Sequence, residues 1–191
     1  VQPGSMPPFS RTIEEEGVFI PPFKLVEDGV LREREFRELL TGARWPVRNY
    51  AQNLNDLRAQ PAANEKGVAD LRKMVAHFGL PVVAAYMGHV QDNAEESVRQ
   101  AIAHLSDSSF EYEFDQGCTI RVRVAIDRAA RSAVVDFTGT SPQQPDNFNA
   151  PAPVTRGAVL YVFRVLIDDE IPMNAGCLRP IRIVIPEGTM L

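Results

Sequence analysis

Phe110-Glu111-Tyr112-Glu113-Phe114, a turn at Asp115-Gln116-Gly117, and then Ile120-Arg121-Val122-Arg123-Val124-Ala125-Ile126 decide the fold of this chain. Apolar side chains recur at alternate positions in both runs, the period of a strand with one buried face. Asp127 to Ser132 reads as a second turn and Ala133 to Phe137 as a third strand. Strands joined by turns this short form an antiparallel meander. Its last strand delivers Asp136 to a long polar stretch, Thr138-Gly139-Thr140-Ser141-Pro142, then Gln143 to Asn149, Ala150 and Pro151. That stretch gathers hydroxyl, amide and carboxylate groups after a rigid strand, where binding groups commonly sit. The same composition also suits a plain connecting loop.

Working outward, the period changes to helical. Leu31 to Leu40 reads as a short helix closed by Gly42. Gln52 to Phe78 repeats apolar residues at three and four, with Pro61 predicting a kink or a restart. Gly79 and Pro81 separate it from a second long helix over Val82 to Leu105. The middle of that helix, Gln91 to Ser97, is polar, and is either solvated or faces a polar site. After Pro153 a helix runs to about Ile167 and ends on Asp168-Asp169-Glu170, an unfavourable place for acids. A second Gly/Pro-punctuated loop, Ile171 to Pro180, precedes a strand in which Ile181, Ile183 and Ile185 alternate. Val1 to Phe23 reads as loop, with Glu14-Glu15-Glu16 as a solvated charge run or a cation-facing cluster, and Lys24 to Gly29 as a short strand and turn. The fold class is therefore α+β: an antiparallel meander with long packed helices. The helices carry more apolar residues than so small a meander buries, so exposed apolar surface is expected.

Composition excludes several roles. The chain has 191 residues, 45% apolar and 24% charged, the proportions of a globular protein with one core or two small ones. A net charge of −5 leaves no footprint for nucleic acid or an anionic membrane surface. No apolar run approaches the ~20 residues of a membrane span, and Val1-Gln2-Pro3-Gly4 is not a secretory signal. The two cysteines, Cys118 and Cys177, read as reduced thiols of a cytoplasmic protein. A non-Met start inside a turn and an ending just after a strand predict an excerpt of a longer polypeptide, truncated at both ends, whose site is completed elsewhere.

No phosphate-binding loop, dinucleotide fingerprint or Gly-x-Ser-x-Gly elbow is present. None of His77, His89 and His104 has metal-ligand spacing. What remains is polar side chains on two loops. Asp136 is the candidate catalytic acceptor or water-orienting base, and Cys177 a candidate nucleophile that is equally well a small buried residue. Thr138, Thr140, Ser141, Asn147, Asn149 and Asn174 are the candidate substrate-binding groups, expected to converge with Asp136 on one polar pocket. The competing reading is that these side chains brace their own loops.

Taken together, Pro3-Gly4-Ser5-Met6-Pro7-Pro8, Thr12 to Gly17, Asp136 to Ser141, Asn147-Phe148-Asn149-Ala150-Pro151, Ile171 to Cys177 and Pro186-Glu187-Gly188 resemble the hydantoinase B/oxoprolinase family. The resemblance covers essentially the whole chain, and Phe9 to Val26 and Val75 to Asn93 are most similar to bacterial 5-oxoprolinases; Pro61 departs from the aliphatic residue expected there. It implies one part, residues 1–191, of a hydantoinase B-type domain in an oligomeric ATP-dependent cyclic amide hydrolase. ATP would be bound by a hydantoinase A-type partner, fused or separate, which phosphorylates the amide oxygen. Water then opens the ring, so 5-oxoproline would give glutamate, ADP and phosphate. A divalent metal, if used, would find its ligands upstream of Val1. A related ATP-dependent carboxylase subunit and a non-catalytic assembly module are the alternatives, because a scaffold does not fix a reaction.

Overall fold

A computed structural model of the protein describes residues 7–167 and 170–191. Pro3-Gly4-Ser5-Met6 and the Asp168-Asp169 pair, both singled out in the sequence, lie outside the described residues. Contacts divide the chain into two units, Val1–Leu80 with Pro145–Asn147, and Pro81–Gln144 with Phe148–Leu191.

The first unit opens with a single turn of helix, α1 (Ile13–Glu16), where the sequence reads as loop. The stretch read as a strand and turn is one arm of a hairpin, β1 (Val26–Glu27) with β2 (Val30–Leu31). Asp28 and Gly29 both take positive φ, 50° and 79°, which is the mirror-image turn that matches strand twist. α2 (Glu33–Thr41) buries Phe36 and Leu40, one helical turn apart, and Phe36 meets the Phe23 ring at 5.9 Å. α3 (Tyr50–Phe78) is capped by Asn49, whose side chain accepts from Gln52 N. It runs unbroken through Pro61, so the expected restart is not found. The proline ring removes one backbone rung, and the helix continues across it. Within the second half of α3, Val68, Leu71, Met74 and Phe78 are exposed, as the excess of apolar residues predicts.

The second unit carries α4 (Leu80–Ala103), then β3 (Ser108–Glu113), β4 (Thr119–Asp127), β5 (Ser132–Asp136), α5 (Ala152–Val165) and β6 (Ile181–Val184). The strands lie in the order β3-β4-β5-β6. The meander is as expected, with Phe110 opposite Val122 and Val124 opposite Val135. β6 adds to β5 in parallel, with α5 on the crossover that a parallel pair requires.

Strand alternation sorts the sheet into two faces. Ala133, Val135, Phe137 and Ile181 pack with Ala94, Val98 and Ile102 of α4 and Val159 and Phe163 of α5. Each large apolar side chain so buried contributes about 1.5–3 kcal/mol, so this face holds the unit together. Phe110 and Tyr112 share that register but stay exposed on the edge strand, contrary to the expected buried face of β3. The other face carries Glu111, Arg121, Arg123, Asp136 and Arg182.

Candidate functional site

Asp136 sits at the end of β5 on the charged face, directly across from Arg123 on β4. Its Oδ1 accepts from the backbone N–H of Thr138 at 2.9 Å and from the Thr138 hydroxyl at 2.6 Å. Those two hydrogen bonds, then the Arg123 and Arg182 guanidiniums, hold its carboxyl below the usual range. The group is therefore a carboxylate at neutral pH, a good acceptor and a weak base. Its Oδ2 has no hydrogen bond to any described residue. A cavity of about 280 Å³ opens beside it, lined among others by Ser109, Glu111, Arg121, Arg123 and Thr138.

The arginines on this face are not equivalent. Arg121 is engaged by Glu111 in a two-pronged pair at 2.6 and 3.2 Å. Gly139, at φ 93°, lets the chain pass over Arg121, since a Cβ there would lie 3.1 Å from its Cδ. Arg123 acts on Asp136 through its charge but makes no hydrogen bond or close ion pair to a described residue, so its N–H donors are open to an incoming anion. In the sequence Arg121 and Arg123 are only the polar positions between the alternating apolar ones of a strand. The strand register, which sets Arg123 against Asp136, is the signal that picks them out.

The remaining loop residues brace backbone. The buried Thr140 hydroxyl donates to Arg121 O at 3.2 Å and accepts from Arg121 N at 3.1 Å. Ser141 Oγ accepts from Thr119 N at 2.8 Å. Asn149 bridges both backbone groups of Gln144 at 2.8 and 3.0 Å. Gln143 N, Met190 N and Ala150 N continue the tie to Gly188, Ser141 and Met190. The long polar stretch is thus a pinned segment, and Thr140 is its most deeply buried pin. Thr140→Val keeps the shape but leaves Arg121 N without its acceptor. It is expected to destabilise the fold by about 1–3 kcal/mol, the penalty of an unpaired buried group. Faster amide exchange at Arg121 and Thr119 in the variant is the readout; unchanged protection refutes it.

Asn147 belongs to the first unit, with its N–H donating to Pro8 O and its side chain to Pro7 O. Asn174 spends its amide on Gly176 N, Val90 O and Pro172 O. Cys177 has no exposed surface and lies in the apolar cluster on the helix-covered face. Strand alternation sets Asp136 on the opposite face, so the structure does not bring Asp136 and Cys177 together. The polar middle of α4 is explained by what it holds: Gln91, Asp92 and Glu95 take Arg179, Glu95 takes Arg99, and Glu96 takes Arg131. Among the described residues no three His, Cys, Asp or Glu side chains come together as a metal site. No described helix is long and apolar enough to cross a membrane.

The hydantoinase B/oxoprolinase family profile matches residues 1–191. A 5-oxoprolinase of Dictyostelium discoideum is 41% identical over 100% of this chain and 16% of its own length. 5-Oxoprolinase 1 of Arabidopsis thaliana is 40% identical over 100% of this chain and 17% of its own. The chain therefore spans about a sixth of the length of these relatives. The crystal structure of an ATP-dependent caprolactamase from Pseudomonas jessenii superposes with a TM-score of 0.76 at 26% identity, over 99% of this chain and 33% of that one.

Proposed function

The chain belongs to the hydantoinase B/oxoprolinase family, and from that premise we propose that it is part of an ATP-dependent cyclic amide hydrolase acting on 5-oxoproline. The observation that carries this reading is the match along all of the chain to two 5-oxoprolinases at about 40% identity. The site on the charged sheet face supports it in chemical terms. A ring amide offers an N–H donor, and Asp136 Oδ2 is an acceptor with nothing else to accept from among the described residues. A substrate carboxylate, or an oxygen made anionic during ring opening, would find Arg123 across the strand. Asp136 held as a carboxylate suits orienting a water or a ring N–H better than taking a proton outright. Thr140 and Ser141 position the β4 backbone that carries Arg121 and Arg123.

ATP enters through a hydantoinase A-type part of the enzyme in this reading. Both cysteines are free and buried, in keeping with a reducing compartment such as the cytoplasm. The test is ADP release by the complete enzyme with 5-oxoproline and with caprolactam. Release dependent on 5-oxoproline supports the reading; release with caprolactam alone moves the substrate to a larger lactam, and release with neither refutes the hydrolase. The purified 191-residue chain alone is expected to release no ADP under the same conditions. Turnover above background by that chain would place the ATP site within it.

A further inference from the structure

We propose that a second small cavity, between α5 and the end of β6, binds a small α-amino acid as its zwitterion. The cavity measures about 260 Å³, and Ile183, Ile185 and Leu191 give it an apolar wall. Arg156 of α5 and Glu187 also line it. Neither makes a hydrogen bond or ion pair to a described residue, and they do not pair with each other. Each is carried on a backbone that is itself held in place. Arg156 lies one turn into a helix. Glu187 lies in a turn closed by the Thr189 hydroxyl on Pro186 O at 2.9 Å and by Gln143 N on Gly188 O at 2.8 Å. Gly188, at φ 73°, permits that turn.

A cation and an anion flanking an apolar wall, neither engaged by a described residue, match a ligand that carries carboxylate and ammonium on a short aliphatic frame. The volume suits a molecule of about ten non-hydrogen atoms, below the drug-sized range. This cavity lies against the helix-covered side of β6, whereas the Asp136 site is on the opposite face, so the inference does not depend on the reaction proposed above.

The experiment is calorimetric titration of the complete enzyme, without ATP, with L-glutamate and with glutarate, which lacks the ammonium group. Saturable glutamate binding is expected, weakened at least tenfold in Arg156→Ala. Glu187→Gln is expected to weaken glutamate at least tenfold while leaving glutarate unchanged or tighter. Both residues are exposed, so unchanged thermal midpoints should accompany these losses. Glutamate binding that survives both substitutions, or that is absent from the wild type, overturns the proposal. So does binding lost in Asp136→Asn and kept in Arg156→Ala, which would assign the ligand to the charged sheet face instead. ADP release with 5-oxoproline is scored separately and decides only the reaction.

Discussion

Replacing Gly176 by alanine is expected to lower the stability of the second unit by about 3 kcal/mol or more, beyond the usual 1–3 kcal/mol of an overpacked site. Gly176 sits in the short 3-10 turn Ala175–Leu178, and its backbone approaches the middle of α4. A Cβ there would overlap the Gln91 carbonyl oxygen, stand 2.8 Å from the Gln91 carbonyl carbon and 2.9 Å from Asn174 Oδ1. Two of those three obstacles are helix backbone, which cannot swing aside as a side chain can. Relief requires the turn to back away from α4. That motion would stretch the Asn174 bond to Val90 O and the three contacts of Arg179 with Gln91, Asp92 and Glu95. It would also disturb Cys177, which is fully buried next to this contact. Gly157→Ala in α5 is the control, because nothing lies within 4 Å of its Cβ position. It should stabilise slightly, by the ~0.5–1 kcal/mol that alanine gains over glycine inside a helix. Hydrogen exchange in α4 and β6 of the complete enzyme reads both. Equal protection in the two variants would mean that the turn does not dock on α4 as described.

The same turn shows what a sequence discloses and what it withholds. Asn174-Ala175-Gly176-Cys177 is recognisable as a special loop because Asn and Gly favour turns. Its purpose is not, because Val90 and Gln91 lie more than eighty residues away and nothing local marks them. The meander was readable for the opposite reason: side-chain alternation is a local property, and short turns leave adjacent strands little choice of partner. β6 was readable as a strand yet not as the parallel neighbour of β5, since that pairing depends on the α5 crossover. Of the kink or restart that Pro61 suggests, the restart is not found, since a missing rung weakens a helix without having to end it. At the site, Asp136 and Thr138 were each legible as candidates, while the hydrogen bonds between them belong to the structure. Arg123, the cross-strand partner of Asp136, became visible only with the register.

In the complete enzyme, Asp136→Asn is expected to lower turnover by about 10²-fold, the scale of losing a positioned acceptor or acid/base group. The fold should tolerate the change. Asparagine keeps an oxygen that can accept from Thr138 N and its hydroxyl, and the site is at the sheet surface, where exposed charges contribute little to stability. What is lost is the charge that Oδ2 offers and that Arg123 faces. The pH dependence follows from the direction of the shift. Because folding lowers the carboxyl's affinity for protons, its stabilising share is present above the unfolded value of about 3.9 and is lost as pH falls through the folded value. Asp136 is thus fully ionised at pH 6–8, and the turnover defect of Asp136→Asn should be constant across that range rather than shrink toward the acid side. Asn149→Ala makes the contrast, since its amide serves Gln144 and its loss should loosen the loop and lower the thermal midpoint. If Asp136→Asn turns over near the wild-type rate, or fails only because it unfolds, the charged sheet face is not where the ring is opened.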